Sequence, residues 1–469
     1  MSSQRSRRGE HGARWRSTTL HTLLAGIFVV AIQCTHGPAE GFLYDAVQYW
    51  GAPLALLTDG NVTEVGVLGI RGALTTLVYL VPAMLTTILG PWSAVWTVLA
   101  WNSLLAAVLL VVLLPRIAEH IVPGRWIPRV WTSAILGGVA LSGFARFPLL
   151  DVWSAAFALA GLYALLAGRR WWFIAAGGLA LAVAVNLRPS YLVPVSIAAL
   201  VLLIARPRCT AWAAPGVLLG AAPQVLFNVA AFGQLSASPV DTPFLLRVQA
   251  AQAAFAVRYD TVAFTDRHPQ QWYCDPGYAA LLVGDPAPTG PMEVVGSALS
   301  HLPQSLWFLS QKASASLHWS FSTPYEPGPE AGVSPMTFLV VAIAAFGLVG
   351  IVWRVSTNWS VRAARFNALA LLGFWFGALG TLVFSTPETR FALPLVLIGL
   401  IGLLVLPPAA PLHAATRRSA VIAAGAGIAL TAALLFIGEA GLDHPMPPGP
   451  LPDASACAAS SPLIQLSPA

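Results

Sequence analysis

The chain has 469 residues, of which 57% are hydrophobic and 9% charged, with a formal net charge of +6 and a mean hydropathy of +0.72. An ordinary soluble domain needs more polar surface than that composition supplies, so the chain reads as a polytopic membrane protein. No nucleic-acid partner is expected.

Arg5, Arg7, Arg8, Arg14 and Arg16 precede an apolar run from about Leu20 to Ile32. The pattern has the charge and length of a signal peptide, but apolar segments continue throughout and no convincing cleavage site follows. It is therefore expected to be a retained first helix behind a basic cytoplasmic N-terminus, residues 1–16. Apolar runs of roughly 17–25 residues, enough to cross a bilayer as helix, recur at about 17–33, 93–114, 130–147, 152–168, 171–187, 189–205, 213–232, 336–353, 367–384, 391–406 and 419–437. The fold class expected is an all-α polytopic membrane protein with about eleven transmembrane helices, forming one membrane domain over 17–440.

Two further apolar stretches, Gly72–Gly90 and His301–Phe321, are expected to lie on or dip into the outer leaflet as juxtamembrane helices. Counting the first as a span would carry Arg116–Arg129, Arg169–Arg170 and Arg206–Arg208 to the outside. With the N-terminus inside and neither stretch crossing, most basic residues fall on the cytoplasmic face and nearly all acidic ones outside, as the positive-inside rule asks.

Soluble mass then collects on the exterior, in segments of about 34–92 and 233–335. The second is rich in Pro and Asp (Pro239, Asp241, Pro243, Asp260, Asp266, Pro269, Asp275, Pro276, Asp285, Pro286) and is expected to be irregular loop with short helices. Residues 441–469 are Pro- and Ser-rich and read as a disordered exterior tail. No internal repeat of the transporter kind is evident.

Candidate chemistry begins in Gly41–Trp50. If that stretch is helical, Asp45, Gln48 and Tyr49 stand at i, i+3 and i+4 and point the same way. On the proposed topology Arg71, Arg146, Asp151, Arg188, Glu388 and Arg390 surface on the same side. A charge at a membrane rim is costly and calls for a partner or a task. A carboxylate within reach of a hydroxyl can act as general base, and guanidinium groups can hold phosphate oxygens as charge develops on a leaving group. Plainer readings stand beside these. Asp45 could be a helix cap or surface acid, Asp151 a cap of its helix, and Arg188 and Arg390 interfacial anchors. His301 and His318 fit interfacial packing better than catalysis.

These residues resemble the GT-C class of polyprenyl-phosphate-sugar-dependent glycosyltransferases, in the style of the bacterial protein-mannosyltransferase-like branch. The resemblance rests on an early exterior acid (Asp45 in Tyr-Asp-Ala-Val-Gln-Tyr), an Arg146…Pro148…Asp151 turn, a Gly-rich helix ending in Arg-Pro (Gly177–Pro189) and an Arg-aromatic-x-Leu-Pro turn (Arg390–Pro394). The stretch Ala298–Trp319 adds a likeness to that branch's juxtamembrane segment, and the whole covers roughly residues 17–410.

The resemblance implies an inverting transferase with Asp45 as base, Arg390 and Arg188 on the lipid phosphate, and Asp151, with Gln48 and Tyr49, binding acceptor or ordering the site. Arg146 and His301 are further candidates. Partners would be a polyprenyl-phosphate-linked sugar donor, a glycan, lipid or protein acceptor, and the bilayer of a bacterial plasma membrane, with the site facing outside. Many members carry a second acid beside the first, where this chain has Ala46. A divalent metal is thus not favoured, since hard cations want several oxygen ligands, and no cofactor is expected.

Cys34, Cys274 and Cys457 fall outside and Cys209 inside, leaving a disulfide between two of the first three open. Asn61-Val-Thr63 is a glycosylation sequon only where the host has that machinery. A transporter or lipid flippase, and a non-catalytic membrane scaffold, remain the alternative functions.

Overall fold

The computed structural model describes residues 3–60, 67–124, 126–259, 270–283, 290–325, 332–357, 362–385, 388–406, 414–447 and 454–458. The sequon at 61–63, the loop residues Asp260, Asp266, Pro269, Asp285 and Pro286, and positions 459–469 lie outside them.

The described chain is almost entirely helical. Helix α1 (Ser3–Cys34) is followed by α2 (Asp45–Thr58), α3 (Leu80–Leu89) and the long α4 (Pro91–Ile121). Then come α5 (Trp126–Ala140), α6 (Asp151–Ala167), α7 (Trp171–Leu187), α8 (Leu192–Ala205) and α9 (Ala214–Phe232). Helix α10 (Thr242–Ala251) leads into an antiparallel pair, β1 (Phe255–Tyr259) with β2 (Gln271–Cys274). The short helices α11 (Pro276–Val283), α12 (Pro291–Ser300) and α13 (Leu302–Ala315) precede α14 (Pro335–Thr357), α15 (Arg362–Val383), α16 (Leu393–Val405) and α17 (Ala414–Ala440). A single turn, α18 (Ala454–Ala458), closes the described residues.

Among the described residues, six helices are long and apolar enough to cross a membrane: Ser17–Cys34 within α1, then α4, α9, α14, Ala363–Val383 within α15 and Arg418–Ala440 within α17. The other segments expected to span are also helical, but shorter. The shortening has a local cause, because α6, α8 and α16 each begin at a polar turn. Asp151 opens α6, Arg188–Tyr191 turns into α8, and a 3-10 turn at Thr389–Ala392 precedes α16. Residues that would have lengthened a helix instead carry charged side chains to its mouth. The stretches at 72–90 and 301–321 hold only the short helices Thr75–Val78, α3 and α13.

Helix α16 lies at the centre of the bundle. Leu393, Val396, Leu397, Ile398, Leu400 and Ile401 are all fully buried, as befits a helix that is apolar all round. It meets α14 through Gly399 and Gly402 on one side and Gly347 and Gly350 on the other, where a Cβ on any of the four would run into the facing helix backbone. That close seating fixes the axial position of α16 and hence of Arg390 just before it.

At the far end of the bundle, arginines cap the helix carbonyls. Arg129 Nε donates to Leu404 O at 3.1 Å, Arg354 Nε to Val405 O at 2.7 Å, and Arg206 Nη1 to Leu166 O at 2.7 Å. These serve the C-terminal ends of α16 and α6, where a cation is favoured by the aligned peptide dipoles. The N-terminal ends of the same two helices carry Arg390 and Asp151, so the arginine caps lie at the end of the bundle opposite to these two residues.

Two features of the long connection and the C-terminal segment were not expected. The connection holds a sheet, in which Arg258 stands opposite Trp272 and Tyr259 opposite Gln271. And the tail read as disordered is, over 441–447 and 454–458, fastened to that sheet. Cys274 N donates to His444 O, Met446 N to Trp272 O, and Cys274 is disulfide-bonded to Cys457. Met446, Cys457 and Ala458 are buried with Phe255 and Trp272, which gives the segment the apolar anchor its composition conceals.

Candidate functional site

The three helix mouths and the first connecting segment converge because polar side chains tie them together. Asn186, near the end of α7, accepts from Leu74 N at 3.0 Å, and Gln224 on α9 accepts from Ala73 N at 2.7 Å. Asn186 Nδ2 donates to Gln224 Oε1, and Gln224 Nε2 to Asn228 Oδ1, forming a ladder of amides in which each oxygen and nitrogen is used. Gly72 N donates to Asn186 O, and any side chain on Gly72 would collide with Asn186. The ladder thereby holds Arg71 beside Arg188, two residues past Asn186.

A second amide secures the other side. Asn102 Nδ2 donates to Ala145 O and Phe147 O, while its oxygen accepts from Trp153 Nε1 and from Tyr79 Oη. This fixes the turn that ends in Asp151. Asp45 opens α2 directly after Tyr44, whose φ of 55° and ψ of −123° are strained for any residue with a side chain. The Tyr44 ring packs edge-on against Tyr325 with centroids 5.5 Å apart, and Tyr325 Oη donates to Leu43 O. The strained residue thus sits between two held neighbours, and its turn aims Asp45 inward.

A cavity of about 490 Å³ results, with Asp45, Gln48, Tyr49, Asp151, Arg188 and Arg390 all on its lining. The polar floor is continued by Arg71, Arg258 and Glu388, and one wall is apolar, built from the start of α8 (Leu192, Val193, Pro194), from Leu245 and Leu246 of α10, and from Leu382. Leu192 and Val193 are exposed on the bundle surface, so that wall runs out toward the lipid-facing side.

Ion pairs order the floor. Arg390 Nη2 donates to Asp45 Oδ2 at 2.6 Å and its Nε to Glu388 Oε2 at 2.6 Å. Arg258 Nη2 donates to the other oxygen of Glu388, and Arg188 Nη1 to Asp151 Oδ1. Arg71 Nε donates to Tyr49 Oη at 2.9 Å. Arg188 also stacks over Phe391 at 4.4 Å. Four guanidinium groups face three carboxylates, which leaves the floor with one positive charge in excess. The buried Nη1 of Arg390 and Nε of Arg258 have no hydrogen-bond acceptor among the described residues. Such donors are satisfied by an anion with several oxygens. Burial works to raise the pKa of Asp45, but Arg390, Arg71 and Arg188 outweigh it and hold the carboxyl below its ordinary value.

Two candidates fall elsewhere. Arg146 donates to Pro38 O at 3.4 Å and lies over the Phe147 ring, and His301 sits at the junction of α12 and α13 with Nδ1 3.3 Å from Ser297 O. Neither lines the cavity. Asp151 does not cap α6 with its side chain; it spends its charge on Arg188. His318 is buried beside Glu439, away from the floor.

Arg258 is the residue that sequence reasoning missed. The one signal was the short alternating run Phe255-Ala-Val-Arg-Tyr259, which suits a strand with Arg258 on the face opposite its neighbours. Among the described residues, no group of three or more His, Cys, Asp or Glu gathers in a way that could hold a metal. Comparison of the chain with protein-family models, curated proteins and solved structures finds no match.

Proposed function

We propose that the chain is an integral-membrane glycosyltransferase that moves a sugar from a polyprenyl-phosphate donor to an acceptor hydroxyl at the exterior face of a bacterial plasma membrane. The observation that carries this reading is the meeting of Asp45 with Arg390, Arg71 and Arg188 on the floor of one cavity whose wall is apolar. Such a floor suits a sugar phosphate and such a wall suits an isoprenoid chain.

In this mechanism Asp45 accepts the proton of the acceptor hydroxyl while its oxygen attacks the anomeric carbon. The new C–O bond forms as the bond from that carbon to the phosphate oxygen breaks, with inversion. The electron pair leaves on the phosphate, whose growing charge is met by Arg390, with Arg188 and Arg71 adding to the field. Since Arg390 touches Asp45, phosphate on its unpartnered Nη1 would lie within one guanidinium of the base, the proximity an in-line displacement needs. Gln48 and Tyr49, one helical turn on from Asp45, would face the acceptor, which on this reading is a glycan, lipid or protein. Every carboxylate on the floor is held by an arginine, so in this mechanism the guanidinium groups take the part a divalent metal would otherwise play.

About eleven crossings go with this proposal. They would bring the mouths of α6, α8 and α16 to the side that holds α2, and an even number of crossings between Cys274 and Cys457 would leave both on that same exterior side, where a disulfide persists. The arginine-capped end would then face the cytoplasm.

The test is transfer by purified protein from a panel of radiolabelled polyprenyl-phosphate sugars to membrane extract, with Asp45→Asn alongside. Transfer that vanishes in the variant supports the reading. An active Asp45→Asn protein sinks it, and no transfer from any donor by folded protein turns to the transporter and scaffold alternatives.

A further inference from the structure

Arg258, Glu388, Arg390 and Asp45 form a continuous chain of alternating charge. Each oxygen of Glu388 takes one guanidinium, from Arg258 and from Arg390, and Arg390 in turn serves two carboxylates. Arg390 and Glu388 are both 3% exposed, whereas the Asp45 side chain, at the open end, is 38% exposed. In a poorly solvated chain of this kind the strength of each link depends on the next.

The far end of the chain is anchored outside the bundle. Arg258 lies on β1, pairs backbone to backbone with Glu388 and stacks over Trp272 at 5.0 Å. The next residue, Tyr259, donates from its hydroxyl to His318 O at 3.0 Å. Strand β2 is in turn fixed by the Cys274–Cys457 disulfide.

We infer that Arg258 is a positioning residue: by holding one oxygen of Glu388 it leaves Arg390 free to grip Asp45, and so governs how readily Asp45 takes a proton. The inference rests on the proposed function for its catalytic meaning, while the chain of contacts stands without it. Its directions follow from charge. Without Arg258, Glu388 turns its whole charge on Arg390, the grip on Asp45 loosens and Asp45 binds a proton more readily. Without the Glu388 charge, Arg390 is left to Asp45 alone and protonation becomes harder. The other groups around Asp45, namely Arg71, Arg188, Tyr49 and Tyr325, are the same in both variants. The chain therefore requires opposite shifts in the single variants, and non-additivity in the double variant distinguishes it from charge acting through space.

The experiment is a pH titration of the Asp45 side-chain carboxyl by carbon-13 NMR on the full-length protein in detergent, with the resonance assigned by its loss in Asp45→Asn. Arg258→Gln should raise the midpoint by about one pH unit and Glu388→Gln lower it by about as much, with Arg258→Lys close to the wild type. The acid limb of kcat/KM for transfer should move in the same order, which a merely structural lesion would not do. Equal midpoints, or shifts of one sign in both variants, overturn the inference. If a single variant fails to fold, the double variant R258Q/E388Q keeps the buried charges balanced and should titrate below the wild type; an unchanged midpoint there overturns it too. Wild-type protein inactive with every donor would refute the transferase reading alone, since the carboxyl titration still decides this one.

Discussion

Arg390 and Asp45 stand 345 positions apart in the chain and meet at 2.6 Å. One opens a helix on the first connecting segment and the other precedes the most deeply buried helix of the bundle. Their contact therefore reports that nearly the whole fold has been assembled.

Asp45→Asn keeps the shape of the side chain and removes its charge. Transfer should fall about 10²–10⁴-fold, the usual worth of a positioned base, while the thermal midpoint moves by less than about 5 °C, since the side chain is partly exposed. Radiolabelled transfer and differential scanning fluorimetry on one preparation separate the two effects. A large fall in midpoint would assign the loss to folding.

The Asp151–Arg188 pair is buried on both sides. Removing one partner leaves the other charge uncompensated, so Asp151→Asn and Arg188→Leu should each destabilise by about 3–5 kcal/mol. The double variant should recover much of that loss. Chemical unfolding in detergent checks the cycle, and additive single effects would show that the two residues act apart.

Lys312 on α13 is fully buried, its Nζ donating to Ala253 O at 3.2 Å. Burial pushes its pKa down to about 7 from an ordinary 10.5. Between those values the unfolded chain binds a proton that the folded chain does not, so stability should rise with pH across that window and be lowest below it. Lys312→Met should raise the thermal midpoint at pH 6–7 and flatten its rise toward pH 10. A wild-type midpoint that does not rise between pH 7 and pH 10 would contradict this.

Gln224→Leu strands Ala73 N and Asn186 Nδ2, both of which give their proton to the Gln224 oxygen. Each stranded buried donor costs about 1–3 kcal/mol. Because the same ladder seats Arg71, the donor KM should rise with a smaller change in kcat. Kinetics at several donor concentrations tests this, and a pure kcat loss would show that the ladder does not serve donor binding.

Much of this is legible in the sequence. The i, i+3, i+4 spacing of Asp45, Gln48 and Tyr49 carried them to one cavity, and basic clusters between apolar runs placed Asp151, Arg188 and Arg390 at one end. What the sequence could not convey was who pairs with whom. Asp151 and Arg188 are 37 positions apart, and nothing in the local sequence of either shows that they hold each other. Arg258 lay in a segment that reads as loop, because a five-residue strand with one partner has no periodicity long enough to stand out. Helix bounds were more legible: the apolar runs at 152–168, 171–187, 189–205 and 391–406 correspond closely to the helices found there, with Pro189 at the break between two of them.

The Cys274–Cys457 bond joins residues 183 positions apart, and all of α14, α15, α16 and α17 lie between them. It can form only after the last of those helices has been made and the C-terminal segment has reached the side where Cys274 waits. The strand that carries Arg258 pairs with the one this bond secures, so the pair is locked only after all four helices have been made. A chain cut just after α17 would keep every long apolar helix and Asp45, Glu388 and Arg390, yet lack the lock. The last tie on the cavity floor thus comes from a segment that follows the helices rather than from the helices that build the walls.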